Sequence, residues 1–293
     1  MPQVQGDCKG GHMTNDELDI LLSAFADTQL DDGRSTNTIT AYRCDIMQFV
    51  AFAGMPDVWT TRTIEDFKAA MLAKRSSVLT VNRKVVAIRR FSKFLSDQGH
   101  SMPAKIRTVR VQAQEFLQDV MTAEDTDRIV RIAMEKRDYR TWAIIAGLQK
   151  TGCRVSELLQ WRVGDIGKPR IQVVGKGMKV RDLLVPPSLT PTLELYAAGR
   201  VDPQEPLFMN PKTKKAITRQ RIDQIIKRYA KLAKVKKDRA HAHSLRHQHG
   251  QRLKEMGLTA ENIAAIDGHS STRTTDIYTQ KTERELRAII NKL

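Results

Sequence analysis

The sequence predicts a mainly α-helical chain of two domains carrying one small β-hairpin. Three observations predict it. Apolar residues recur at spacings of three and four over most of the 293 residues. That period breaks only between Arg170 and Val185, where short apolar runs flank a glycine-rich turn. The charge is also divided unevenly: residues 121–293 hold 34 Lys/Arg against 19 Asp/Glu, while residues 1–120 hold 15 against 14. A chain of this length can bury two separate cores.

Taken in order, residues 1–12 read as a disordered leader before Met13. Asn15 and Asp16 are placed to cap a helix running to about Thr28, with Leu18, Leu21, Leu22 and Phe25 on one face. The segment DDGRS is a turn, and Ser35 or Thr36 opens a second helix with Ile39, Tyr42, Ile46, Phe49 and Phe52 inward. A third helix spans about 63–74. The fourth, about 80–97, turns Val81, Val85, Ile88 and Leu95 inward and Arg83, Lys84, Arg90 and Lys93 mostly outward. Residues 13–100 thus form one helical domain with a basic face. The pattern weakens over 101–120, where Pro103, Lys105, Arg107 and Arg110 suggest a basic linker.

Thr122 and Asp125 resemble a capping box opening the second domain, residues 121–293. Helices are expected at about 123–136, 138–150 and 154–161. The hairpin follows, with Lys176 at its tip. The rest returns to helix, at about 190–198, 218–234, 244–256, 259–266, 271–278 and 282–291. Leu286, Ile289, Ile290 and Leu293 form a terminal apolar stripe, suited to packing on its own domain or on a neighbouring copy.

The net charge of +16 makes a polyanion the natural partner. No apolar run approaches the roughly 20 residues needed to cross a bilayer, and the N-terminus has no apolar secretory core. Three scattered cysteines, Cys8, Cys44 and Cys153, argue for a reducing cytosol and against a disulfide framework. His241, His243, His247 and His249 lie within nine residues, but no Cys or carboxylate accompanies them at ligand spacing. Arg246 in their midst would repel a cation, so no metal is expected.

The second domain gathers the groups that phosphodiester cleavage needs: a nucleophile, cations for a five-coordinate phosphorane, a proton donor and orienting groups. TGCRVSELLQW supplies Arg154 and Glu157, and VVGKGMKVRDLLVP supplies Lys176, with Lys179 and Arg181 as competitors for its role. HSLRH places His243 and Arg246 one turn apart, and GHSSTRTTDIYT supplies His269 and Tyr278.

These motifs, in this order, resemble the tyrosine recombinase (lambda-integrase) family, and STNTITAYRCDIMQFVAF resembles its core-binding domain. The resemblance covers about residues 15–290 and is to the small two-domain Xer, Cre or transposon-recombinase kind. It implies a C-shaped clamp of a SAM-like core-binding domain and a catalytic domain on double-stranded DNA carrying an inverted-repeat site. Tyr278 would be the nucleophile, forming a 3′-phosphotyrosine on the way to a Holliday junction. Arg154 and Arg246 would hold the non-bridging oxygens, and Lys176 would protonate the leaving 5′ oxygen. His243 would be the general acid/base, His269 a phosphate hydrogen-bond donor and Glu157 a buttress. Arg83, Lys84, Arg90, Lys93, Arg219, Arg221, Lys227 and Arg228 would contact DNA. The resemblance further implies no cofactor, a tetrameric synapse with possible accessory or related recombinases, and a cytoplasmic, nucleoid-associated location. Type IB topoisomerases share the chemistry. Asp267, His249 and Cys153 depart from the family pattern, where apolar or aromatic residues are usual.

Overall fold

The computed structural model describes residues 13–103, 105–110, 120–175 and 179–268. The chain divides into two compact units, residues 1–113 and 114–293.

In the first unit, four helices begin on hydroxyl caps. Thr14 opens α1 (Asn15–Asp31), Ser35 opens α2 (Thr36–Ala53), Thr60 opens α3 (Thr61–Ala73) and Ser77 opens α4 (Val78–Asp97). Each cap oxygen accepts from the backbone N–H three residues on, satisfying a donor the helix cannot. At α1 the cap is therefore Thr14, one residue before the expected Asn15, because Glu17 returns to the Thr14 backbone and completes a capping box. Leu18, Leu22, Phe25, Ile46, Phe49, Val81, Val85, Ile88, Phe91 and Leu95 fill the core. Edge-on aromatic pairs tie it together, Phe49 with Trp59 at 4.7 Å and Phe25 with Phe91 at 5.3 Å. Phe52, expected inward, is about half exposed and lies edge-on to Phe67.

Lys84 is a correction to the expected basic face. It is 5% exposed and donates to Asp45 at 2.9 Å, so it is a core ion pair and not part of the exposed basic face. Arg83 also pairs with Asp45. On α4, Arg89 and Lys93 are exposed and Arg90 is half-buried. The basic stretch expected to be linker is pinned to this unit over residues 105–110. Ile106 is buried, the Asn82 side chain bonds both backbone groups of Val109 at 2.8 and 2.9 Å, and Lys68 donates to the Arg107 carbonyl at 3.0 Å.

The second unit is built around α6 (Tyr139–Thr151). Its segment from Ala143 to Leu148 is buried without interruption, as a helix enclosed on all sides requires. Around it stand α5 (Ala123–Glu135), α8 (Thr190–Ala197) and α10 (Ala242–Glu255), while α9 (Arg219–Leu232) packs on α5 and α6. Thr122 and Asp125 form the expected capping box of α5. The helix expected over 154–161 is a single turn, α7 (Val155–Leu158). Just beyond it the Gln160 side chain turns to the hairpin, accepting from Val174 N–H at 2.8 Å and donating to its carbonyl at 2.9 Å.

The hairpin pairs β1 (Arg170–Val174) with β2 (Val180–Leu184), antiparallel, in the register Ile171 with Leu183 and Val173 with Arg181. Ile171, Val173 and Leu183 face the core, as period-two alternation dictates. Last described is α11 (Ala260–Asp267). Among the described residues, no helix is long and apolar enough to cross a membrane. The expected helices at 271–278 and 282–291, and the apolar stripe within them, lie outside the described residues.

Candidate active site

The site starts where α6 ends. Gly152 takes φ +60°, a left-handed turn that stops the helix and is cheap only for glycine. The chain then extends through Cys153 to Arg154, whose N–H donates to Glu157 Oε2 at 2.8 Å at the start of α7. The Arg154 guanidinium reaches Glu157 Oε1 at 3.1 Å and remains about one-third exposed. The spacing of TGCRVSE is thus a folding device: the glycine ends one helix, and the glutamate three residues after the arginine captures its backbone.

Glu157 is fully buried. Burial alone would raise its carboxyl, but hydrogen bonds from Arg181 and the Arg154 backbone, with both guanidinium charges, hold it below the usual range. Arg181 comes from β2, donating to Glu157 Oε2 at 2.8 Å and to the Ile266 carbonyl at 2.8 Å. It joins the hairpin, α7 and the end of α11. Sequence reasoning cast it only as a competitor for the acid; a guanidinium held this way by Glu157 and the Ile266 carbonyl is a structural cation. Lys179 is exposed beside the hairpin tip.

Arg246 enters from α10 and is 2% exposed. It donates to the carbonyls of Gly152 at 2.5 Å and Asp267 at 2.6 Å, the C-terminal ends of α6 and α11. Helix C-termini carry partial negative charge, so both hold the guanidinium in place. One turn earlier on α10, His243 is exposed and stands edge-on to His247, with ring centroids 4.3 Å apart. Partial burial first, then Arg246, His241 and Arg154, lowers its pKa and favours the neutral imidazole. His241 caps α10, its Nδ1 accepting from Ser244 N–H at 3.1 Å.

Arg154, Arg246, His241 and His243 line one open cleft of about 770 Å³, joined by Arg219 at the start of α9 and Asp223 one turn further on. The starts of α9 and α10 and three guanidinium groups on one cavity make a receptor for a tetrahedral anion. Arg221, Lys227 and Arg228 lie exposed on α9, Lys227 paired with Asp223 at 2.7 Å. Four expected residues, Arg154, Glu157, His243 and Arg246, therefore meet. Lys176, His269 and Tyr278 lie outside the described residues. Among the described residues, no three His, Cys, Asp or Glu side chains converge with metal-binding geometry. Sequence reasoning missed that Asp267 and His249 meet each other beneath Arg246, with Asp267 Oδ1 3.8 Å from His249 Nε2. The available signal was that both positions carry a polar group where an apolar or aromatic one is usual.

Comparison with known proteins places this geometry. Residues 119–285 match the model of the phage integrase family, and residues 23–99 match that of the phage integrase N-terminal SAM-like domain. The chain is 28% identical to tyrosine recombinase XerA of Pyrococcus furiosus over 277 residues, covering 93% of each. It is 30% identical to tyrosine recombinase XerC of Herpetosiphon aurantiacus, covering 85% of this chain and 86% of that one. In fold it is similar to a lambda integrase tetramer bound to a Holliday junction, with TM-score 0.71 and 15% identity over 89% of this chain and 76% of that one.

Proposed function

Because the chain belongs to the phage integrase family, we propose a role in DNA strand exchange for each residue of the candidate site. The enzyme is a site-specific tyrosine recombinase, which cleaves and rejoins DNA through a 3′-phosphotyrosine and a Holliday junction. Arg154 and Arg246 hold the two non-bridging oxygens of the scissile phosphate. They are preorganised by Glu157 and by the carbonyls of Gly152 and Asp267, so little reorganisation is needed as charge develops in the transition state. Tyr278 Oη attacks phosphorus, and its proton passes to neutral His243. The bond to the 5′ oxygen breaks as Lys176 protonates it, and His269 donates to a phosphate oxygen. Rejoining reverses each transfer. The phosphotyrosine conserves the energy of the phosphodiester, so religation needs no nucleotide.

The observation that carries this reading is the convergence of Arg154, Arg246 and His243 on one cleft. Exposed Arg83 and Lys93 with half-buried Arg90 on α4, and exposed Arg219, Arg221, Lys227 and Arg228 on α9, would contact the duplex. An inverted-repeat site, a tetramer of this chain on two sites, related or accessory recombinases and a nucleoid-associated cytoplasmic location complete the proposal.

A nicked suicide duplex tests it, because the cut strand diffuses away and leaves the adduct trapped. The full chain should form a covalent protein–DNA adduct, and Tyr278→Phe should bind with unchanged affinity and form none. An adduct persisting in Tyr278→Phe would mean that another side chain attacks.

A further inference from the structure

Two buried side chains beneath Arg246 have no part in those roles. Asp267, the last residue of α11, is fully buried, and neither of its carboxylate oxygens has a hydrogen-bond partner among the described residues. An anion so placed is costly. Its Oδ1 lies 3.8 Å from His249 Nε2, and its Oδ2 lies 3.9 Å from Arg246. On the other side of the His249 ring, Nδ1 faces the Gln149 carbonyl at 3.1 Å. A carbonyl only accepts, so Nδ1 carries the hydrogen. In the neutral ring Nε2 is then a bare lone pair pointed at a carboxylate oxygen, and two acceptors cannot bond. One more proton, on Oδ1 or Nε2, would turn that opposition into a hydrogen bond.

The same two side chains also seat the backbone that holds Arg246. A Cβ on Gly152 would lie 2.3 Å from the His249 ring and 2.6 Å from Asp267 Oδ1, so the pair occupies the space a side chain would need. The Gly152 carbonyl is one of the two that Arg246 grips, and Asp267 supplies the other.

We propose that Asp267 and His249 are a proton-accepting pair that positions Arg246 and couples binding of the scissile phosphate to uptake of a proton from solvent. This rests on the reading that Arg246 holds that phosphate. Asp267 faces Arg246 and His249 on α10, Arg181 on β2, and Arg154 and Glu157 around α7; His249 additionally faces Arg252. Glu157 is already matched by Arg154 and Arg181. With the cleft empty, the Asp267 anion balances Arg246. When the phosphate enters, its charge assumes that role, and a second anion below the arginine is repelled. A solvent proton then neutralises Asp267 and closes the hydrogen bond to His249. The buried environment is tuned for this: burial lifts the Asp267 carboxyl to about 6 against the pull of the three arginines, and burial lowers His249 to about 4. Near neutral pH the pair is therefore a vacant proton site.

Calorimetric titration of the full Tyr278→Phe chain with a duplex site, in two buffers of different ionisation enthalpy at pH 7, counts the protons taken up. The chain with Asp267 intact should take up more than the same chain carrying Asp267→Asn, by about one proton at most, since one site fills. A neutral methylphosphonate at the scissile position should abolish that difference. His243 is present in both chains and cancels. Should Asp267→Asn fail to fold, the His249→Phe/Asp267→Leu pair, which fills the space with apolar groups, takes its place. Uptake that depends on the phosphate charge but is equal with and without Asp267 overturns the pair. Indifference of both uptake and affinity to the phosphate charge, in every chain, would instead remove the assignment of Arg246 to the phosphate.

Discussion

Each unit buries a carboxylate against basic side chains, and the two do so differently. In the first unit Asp45, 1% exposed, accepts from Lys84 and Arg83, and Gln48 accepts a further bond from Lys84. Its interior donor, Lys84, is spent on Asp45 and Gln48 between α2 and α4, while Arg83 reaches the same carboxylate from the surface. In the second unit Glu157 accepts from Arg154 and Arg181, but Arg154 keeps part of its guanidinium on an open cleft. The Asp267 carboxylate, equally buried, accepts no hydrogen bond among the described residues. The same residue types thus make a structural rivet in one place and a poised receptor in the other. What separates them is whether the hydrogen-bond capacity of the cluster is exhausted internally.

The largest expected effect is on the rivet. Asp45→Ala leaves Lys84 as an uncompensated buried cation, which should cost about 3–5 kcal/mol of stability. Hydrogen exchange at the amides of α2 and α4 would register it. The double variant Asp45→Leu/Lys84→Met should recover most of the loss, because removing both charges removes the desolvation penalty. Loss of DNA affinity without loss of protection would mean that Lys84 serves the duplex after all.

In the receptor the same kind of deletion should remove the chemistry, and at buried Arg246 it should also cost stability, because the Asp267 carboxylate loses its balancing cation. Arg154→Ala or Arg246→Ala should slow single-turnover adduct formation by about 10²- to 10³-fold, the range for one preorganised donor to a developing oxyanion. Arg→Lys should rescue poorly, since an ammonium cannot span two oxygens. Near-normal cleavage by the lysine variants would reduce both arginines to structural roles like that of Arg181.

Next comes a pH test of the unexhausted carboxylate. Asp267 is raised from 3.8 to about 6, so its contribution to stability is full below 3.8 and is lost as pH rises through about 6. His249 is lowered from 6.5 to about 4, so its contribution is full above 6.5 and is lost as pH falls through about 4. Each is worth about 3 kcal/mol at most, and over the same window the two nearly cancel. Asp267→Asn should unmask the histidine, giving stability that climbs with pH between 4 and 6.5. His249→Phe should unmask the carboxyl, giving the opposite slope. Parallel urea midpoints across that window in all three chains would contradict the pairing.

Those outcomes bear on what the sequence made legible. The hydroxyl caps at Ser35 and Thr122, the apolar face of α4 and the hairpin at Arg170–Leu184 could be read because each signal is local, lying within a few residues of its effect. The motif around Arg154 was legible for the same reason: its glutamate acts three residues away. Lys84 was misassigned because its partner lies 39 residues earlier on another helix, and periodicity alone cannot say which lysine at the edge of a face finds a carboxylate. Arg181 was misjudged likewise, its glutamate lying 24 residues back across a turn and a strand. Asp267 and His249 were noticed as departures, but only tertiary structure shows that one departure faces the other.

The smallest expected effect separates rivet cations from surface cations by salt dependence. Each phosphate neutralised by a lysine or arginine releases condensed counterions, so the logarithm of affinity falls with that of salt by about 0.9 per contact. Arg89 and Lys93 on α4 are exposed, and Lys93 pairs with Asp97 at 2.8 Å, a surface pair that salt or phosphate readily replaces. Arg228 on α9 is exposed and leans over the Tyr229 ring at 6.0 Å. Substituting any one of these with alanine should weaken binding to all sequences alike and reduce the slope by about one where that side chain meets a phosphate. The Asp45→Leu/Lys84→Met chain, which removes the interior lysine and leaves every surface cation in place, should keep the slope at least as steep. Fluorescence anisotropy over 50–300 mM salt, within about the range where such slopes are measured, distinguishes the classes. A lower slope in the rivet variant, with α2 and α4 still protected from exchange, would place the interior lysine in the path of the DNA and erase the distinction between the two clusters.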